Sequence, residues 1–291
     1  MGSADTDRMY MCIDLKSFYA SVECADLGVD PFTTPLVVAD NSRGKGAITL
    51  AISPALKKLG VKNRARLFQI PSHIEYITVK PHMKRYMQAS AQIYGTLLNY
   101  ISPEDIHVYS IDEYFIDITP YTNLYKKTSR QLAQLLLDAV LEATHIYATV
   151  GIGTNLFLAK IALDILAKHA SDFIGYLDEN LFKEQIWYHQ PITDIWQIGS
   201  GIANRLRKFG AFDLYGITQV PEHKLYKEFG VNAELLIDHA WGRESCTIAD
   251  IHAYRPSKHS LSQSQILLRN YTADEARLPM REMVESLVLE L

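Results

Sequence analysis

The sequence predicts an α+β fold: a ferredoxin-like sheet laid down in the order β-α-β-β-α-β, with a small insert after its first helix and a helical region behind it. Three observations lead there. Short apolar runs alternate with longer runs of 3.6-residue period. These runs fall into the split β-α-β order once residues 35–80 are set aside, and charge changes abruptly along the same stretch. Between Asn41 and Tyr100 ten Lys and Arg face one acid, Glu75, a net of +9, whereas Ile101–Tyr125 carries five acids and no base, −5. The 291-residue total of 29 basic against 33 acidic residues, −4, therefore hides a basic lobe beside an acidic centre. With 48% hydrophobic and 21% charged residues, a mainly disordered chain is excluded.

Each element follows from local pattern. Tyr10–Asp14 is a short apolar strand ending on a carboxylate, and Ser17 is the candidate cap of a helix running to Asp26. Pro35–Ala39 reads as a second strand, Ser42–Gly46 as a turn and Ala47–Ile52 as a third strand. Pro54–Leu59 is a helix with Pro in its first turn and Gly60 after its last. His82–Tyr100 has helical period. His107–Ile111 and Tyr114–Ile118 are strands joined by Asp112-Glu113, a hairpin by length and alternation. Ser129–His145 is a helix and Ala148–Ile152 the last strand. In such a sheet the first strand lies beside the hairpin, so Asp14 converges with Asp112 and Glu113. Asn155–His169 then forms a helix carrying Lys160 and Lys168. Pro191–Gly210 reads as helix, glycine hairpin, helix, and Asp213–Ile217 starts another. A polar linker follows Trp241-Gly242, then an alternating strand on Leu261, Gln263, Gln265 and Leu267, then a helical pattern from Ala273 to Leu291. Met1-Gly2-Ser3 reads as a cloning remnant, and the first seven residues are left out of the fold.

Three neighbouring carboxylates repel one another at neutral pH. Either they hold divalent cations or run acid/base chemistry, or Asp112-Glu113 is merely a polar turn. Oxygen-only ligands suit Mg²⁺ or Mn²⁺, and two such ions about 3.5–4 Å apart serve in-line phosphoryl transfer. Other classes drop out. A P-loop needs Gly where Ala39 precedes Gly44-Lys45, Gly151-Ile-Gly153 lacks the third glycine of a dinucleotide fingerprint, and no Gly-x-Ser-x-Gly elbow occurs. Cys12, Cys24 and Cys246 have no metal-binding spacing and are too few for a disulfide scaffold, so a reducing, cytoplasmic setting is expected, with no membrane partner. Gly199 and Gly201 sit where backbone N–H groups at a helix start hold a phosphate, with Arg205, Arg207 and Lys208 behind them; a plain turn is the other reading.

Together, Asp14-Leu-Lys-Ser-Phe-Tyr-Ala-Ser-Val-Glu23, Pro35-Leu-Val-Val38, Ser53-Pro-Ala-Leu-Lys-Lys-Leu-Gly-Val61, Ser110-Ile-Asp-Glu113, Val150-Gly-Ile-Gly153 with Leu158-Ala-Lys-Ile-Ala162, and Trp196-Gln-Ile-Gly199 resemble a Y-family translesion DNA polymerase of the UmuC-like branch of Gram-positive bacteria. The resemblance runs from about Met9 to the end. It implies a right hand: palm at 8–34 and 81–175, fingers at 35–80, a thumb with helix-hairpin-helix at 176–242, a linker at 243–259 and the start of a little finger at 260–291. The activity implied is addition of dNMP from dNTP to a primer 3′-hydroxyl, on primer-template DNA, with two Mg²⁺ per site or Mn²⁺ in their place.

By that resemblance Asp14, Asp112 and Glu113 are the catalytic metal ligands, completed by the Leu15 carbonyl. Tyr19 is the steric gate against a 2′-hydroxyl, with Phe18 beside it. Lys57, Lys160 and Lys168 are candidates for the triphosphate. Pro54 stands where many relatives have Tyr, so Ser53 or a backbone N–H is the candidate replacement for that hydroxyl. The Lys160–Lys168 spacing is one residue longer than in some relatives, which leaves open which lysine reaches the nucleotide. Lys62 and Arg64, with Arg66, are template contacts or solvated surface; Gly199, Gly201 and Arg205 are the expected DNA-backbone contacts. The little-finger pattern breaks off, so weaker DNA grip and processivity are expected. In relatives that domain and its tail bind DNA and the sliding clamp. A monomer is the default. Two rivals remain: a catalytically weak DNA-binding or scaffolding relative, and a palm-fold nucleotide cyclase, which would carry a Gly-Gly-Asp/Glu hairpin.

Overall fold

Alternation along the first strand decides the architecture. In β1 (Tyr10–Leu15), Met11, Ile13 and Leu15 point to one side and Tyr10, Cys12 and Asp14 to the other. The computed structural model describes residues 8–256, 260–265, 267 and 269–291, in two units that divide between His252 and Ala253. The Met1–Gly2–Ser3 reading and residues 257–259 of the expected linker lie outside the described residues.

The other strands are β2 (Leu36–Val38), β3 (Ala51–Ile52), β4 (Ile77–Val79), β5 (Ile106–Val108), β6 (Glu113–Asp117), β7 (Ala148–Gly153) and β8 (Ile174–Leu177). The main sheet has the order β5-β6-β1-β7-β8, with β1 antiparallel to both β6 and β7. This is the expected split β-α-β arrangement with one strand added, since β8 pairs parallel to β7. The basic insert builds its own small sheet, β3-β2-β4.

Helices α1 (Phe18–Asp26), α2 (Pro54–Lys58), α3 (Met83–Leu97), α4 (Thr119–Tyr125) and α5 (Ser129–Thr144) precede β7. The face bearing Met11, Ile13 and Leu15 shares a core with Tyr86 and Ile93 of α3 and Leu132 and Leu136 of α5. The opposite face, with Tyr10, Cys12 and Phe115, packs on Leu156, Ala159 and Leu163 of α6 (Leu156–Ile161) and the π turn Ala162–Ala167 that continues it. Gly151 explains how close that helix comes: a Cβ there would lie 2.1 Å from the Ala159 carbonyl oxygen.

Behind the sheet come α7 (Glu179–Gln185), α8 (Ser200–Arg207), α9 (Leu214–Thr218), α10 (Glu222–Phe229) and α11 (Asn232–Ala240), sharing a core of Phe157, Phe182, Leu206 and Leu225. α12 (Ile248–Ala253) lies in the stretch expected to be linker, and its Ile248 is buried with Tyr10 and Phe115. In the second unit α13 (Ala273–Glu290) opens with a Thr272/Glu275 capping box. No helix among the described residues is long and apolar enough to cross a membrane.

Several local expectations are corrected. Ser17 makes no cap hydrogen bond and sits at φ +49°. The expected strand Ala47–Ile52 shrinks to β3, with Ile48 forming an isolated bridge to Arg66. The first hairpin strand ends at Val108 because the N–H groups of Tyr109 and Ser110 both turn to the Glu113 carbonyl. The first helix of the expected helix-hairpin-helix is a single 3₁₀ turn, Ile192–Asp194. The alternating strand at Leu261, Gln263, Gln265 and Leu267 is irregular, because an isolated strand has no ladder to satisfy its N–H and C=O groups.

Candidate functional site

The sheet register brings two carboxylates together. Asp14 is the direct partner of Glu113 across the β1–β6 ladder and of Thr149 across β1–β7, so Asp14 and Glu113 share the face that α6 covers. Asp112 reaches the same end from the hairpin turn: its carbonyl accepts the Leu15 N–H at 3.0 Å, and Ser110 Oγ donates to its Oδ1 at 2.8 Å. The hydroxyl of Thr149 donates to the Asp14 carbonyl at 3.1 Å.

Asp14 and Asp112 line one cavity of about 560 Å³ with Leu15, Phe18, Tyr19, Lys57, Arg64 and Lys168. Burial pushes the Asp14 carboxyl up from its ordinary value, against the pull of Lys168 and with a further push from Asp112. Lys57 is lowered, by burial first, although Asp14 opposes the shift. The Lys168 ammonium goes the other way: burial would lower it, but Asp14 and Asp164 outweigh that.

Beside the cavity runs a continuous line of alternating charge. Lys168 Nζ lies 3.2 Å from Asp14 and 2.8 Å from Asp164; Lys160 Nζ lies 3.1 Å from Asp164 and 2.6 Å from Glu113 Oε1. Residues eight apart on a straight α-helix diverge by about 80°. Asp164, four residues from each, bridges that divergence, so both lysines reach it, and Lys168 also reaches Asp14 beyond the π turn Ala162–Ala167. Asp164 was missed in the sequence, although its place four residues from each lysine is a legible signal.

The structure sorts the remaining candidates. Tyr19 lines the cavity, its ring stacked on Tyr86 at 4.4 Å and 20°, with Phe18 tilted against it. Lys57 and Lys168 face the cavity, whereas Lys160 is turned away to Glu113 and Asp164. Ser53 is fully buried outside the lining, its hydroxyl accepting the N–H groups of Leu36 and Leu56 as the cap of α2. Arg64 lines the cavity at φ +59°, and Lys62 does not line it. Gly199 is the N-cap of α8 and Gly201 lies within it. Arg205 is held to Glu228 at 2.8 Å and over the Phe229 ring. Lys16, inside the Asp14–Glu23 motif, and Asn63 also line the cavity, and neither is among the expected site residues.

Part of this donor set suits a divalent cation. The carboxylates of Asp14 and Asp112 offer hard oxygen atoms to one cavity and fit such an ion. Glu113 is engaged elsewhere, its Oε1 accepting from Lys160 and, at 3.1 Å, from the Cys12 thiol. Consistent with this, no three His, Cys, Asp or Glu side chains among the described residues are grouped as a ready metal site. Both Glu113 contacts fall on Oε1, so Oε2 is the oxygen with which Glu113 joins the other two while Lys160 holds it.

Comparison with known proteins gives a concordant result. A family model described as the impB/mucB/samB family matches residues 13–164. A protein bearing the UV-damage repair name UvrX, from Bacillus subtilis (strain 168), is 33% identical over 267 residues, covering 91% of this chain and 62% of the relative. DNA polymerase IV 2 of the same organism is 32% identical over 233 residues, 79% of this chain and 55% of the relative. The chain thus spans little more than half the length of these relatives. Among solved structures, a Y-family DNA polymerase chimera of Dbh and Dpo4 aligns with a TM-score of 0.70 at 26% identity, over 82% of this chain and 69% of that one. DinB from Sulfolobus solfataricus aligns at 0.63 and 26% identity, over 85% and 68%.

Proposed function

The chain belongs to the impB/mucB/samB family, and from that premise we propose that it is the core of a template-directed translesion DNA polymerase, transferring dNMP from dNTP to a primer 3′-hydroxyl on primer-template DNA. The observation that carries this reading is one cavity with Asp14 and Asp112 on the sheet side and Lys57 and Lys168 beside them. Such a cavity can hold an anionic triphosphate against a pair of acids, which a simple DNA-binding surface does not need.

On this reading Asp14, Asp112 and the Leu15 carbonyl, joined by Glu113, hold Mg²⁺ or Mn²⁺, which when bound supplies activation of the primer hydroxyl and neutralisation of phosphate charge. Lys57 and Lys168 bind the triphosphate, and Lys160 sets the position of Glu113. Tyr19 walls the cavity where a ribose 2′-hydroxyl would collide. Arg64 reaches the nucleotide side of the cavity. Gly199 and Gly201 leave the start of α8 open to a DNA phosphate: a Cβ at either would meet nothing within 4 Å, so internal packing does not call for glycine there. The palm is taken as residues 8–34 and 81–175, with β8 pairing onto its sheet at the junction; 35–80 are fingers, 176–242 thumb, and 260–291 belong to a little finger.

Neither rival gains support: the hairpin reads Ser110-Ile-Asp-Glu113 rather than a cyclase pattern, and all three carboxylates are present. Primer extension on undamaged and lesion-bearing templates with Mg²⁺ tests the proposal. Asp112→Ala should cut the rate by about 10²–10³-fold, the scale of losing one transition-state charge partner. Full extension by that variant would remove Asp112 from the reaction, and no extension by the wild type would overturn the polymerase reading.

A further inference from the structure

Two helix faces interlock behind the cavity. Tyr19 and Glu23 are four residues apart on α1. His82 and Tyr86 are four apart at the start of α3, where the His82 carbonyl accepts the Tyr86 N–H. Each pair therefore presents one face. Tyr86, fully buried, donates its hydroxyl to Glu23 Oε1 at 2.5 Å, and His82 Nδ1 lies 2.9 Å from the same oxygen. The Tyr86 ring then carries the Tyr19 ring, stacked at 4.4 Å. Arg85 grips Asp26 with two guanidinium nitrogens at 2.6 and 2.8 Å, which ties the same two helices together one turn further on. A carboxylate as buried as Glu23, 5% exposed, is costly to keep without such partners. Burial, with the bond to Glu23, pushes the Tyr86 phenol up, so it remains a donor.

We propose that Glu23 and Tyr86, with His82 behind them, are positioning residues for Tyr19: they fix the tilt and height of the ring that sorts the incoming sugar, so discrimination against ribonucleotides depends on a buried carboxylate outside the cavity. The proposal rests on the polymerase reading and on the gate role of Tyr19. A charge-assisted hydrogen bond between short, packed side chains tolerates little movement, and a stacked ring transmits that constraint to its neighbour without touching the nucleotide.

The test is single-nucleotide insertion, with kcat/KM measured for a dNTP and its matching rNTP in the wild type, Tyr19→Ala, Tyr86→Phe, Glu23→Gln and the Tyr86→Phe/Glu23→Gln double variant. Tyr86→Phe keeps the ring and removes only the donor. Each single change should lower the dNTP preference by about tenfold, the scale of one hydrogen bond to a charged group, while dNTP use is retained. The double variant should lose no more than Tyr86→Phe alone, because without the phenol hydroxyl the charge on Glu23 no longer acts on the Tyr86 ring through that bond. Unchanged preference in Tyr86→Phe and Glu23→Gln, with Tyr19→Ala losing it, overturns the proposal and leaves the gate intact. Equal losses with both sugars also overturn it, since that is a general structural defect. A wild type that inserts neither sugar defeats the polymerase reading and this inference with it.

Discussion

The Nζ of Lys160 lies 2.6 Å from Oε1 of Glu113, in side chains only 8% and 12% exposed. Burial alone would lower the lysine, yet Cys12, Asp164 and Glu113 together raise it above its ordinary value. The ammonium therefore stays charged at neutral pH, a counterweight to acid crowding at the end of the sheet. Lys160→Met should cost about 3–5 kcal/mol in urea unfolding, the penalty of leaving a buried charge unpaired. Lys160→Met/Glu113→Gln should recover most of that loss. A double variant as unstable as the single one would show that packing, not charge, is what Lys160 supplies.

Removing the charge of Asp14 should raise stability. Its carboxyl is raised by burial, so the folded state favours the neutral acid more than the unfolded chain does. The contribution is complete below the unfolded value and is lost as pH rises through the folded one. Asp14→Asn should therefore melt higher than the wild type at pH 7–8, by roughly 2–4 °C, with the difference closing towards pH 4. Thermal melts across that range decide it; a lower melting temperature at pH 8 would contradict the sign.

Gly151 leaves no room for a side chain, since a Cβ there would stand 2.1 Å from backbone atoms of both Ala159 and Leu163. Gly151→Ala must push α6 off the sheet. The expected loss is at least about 3 kcal/mol, and Lys160 and Lys168 move with the helix. Circular dichroism melts and primer extension should both fall; a stable, active variant would refute the close approach.

Ser53 separates a capping role from a substrate role. Its hydroxyl already accepts two backbone N–H groups, so Ser53→Ala should cost about 1 kcal/mol of stability and leave the KM for dNTP unchanged. A rise in KM without loss of stability would return Ser53 to the nucleotide site.

Much of the site was legible because it sits on elements whose pattern is local. A strand ending on Asp14 and an alternating pair flanking Asp112-Glu113 determine a split sheet, and the sheet determines which acids meet. The partners of those acids were not legible in the same way. Which lysine faces the cavity depends on a wide turn between Lys160 and Lys168 that no periodicity announces. β8, Ile174-Gly-Tyr-Leu177, is too short and too dependent on β7 to read as a strand alone. Ser17 looked like a cap because of its residue type, but the chain turns through φ +49° there and its hydroxyl gives the helix no cap bond. Nor does any local pattern show that Arg205 is paired with Glu228, 23 residues on.

The π turn at Ala162–Ala167 also has a consequence for how this chain tolerates changes of length. One residue inserted into an ordinary helix rotates everything after it by about 100°, which here would swing Lys168 off Asp14 and disturb the approach to β8. A wide turn confines that rotation to itself. A π turn holds one residue more than the α turn it replaces, so the change of length this segment is set to absorb is the loss of one residue between Ile161 and Lys168, with both ends kept in place.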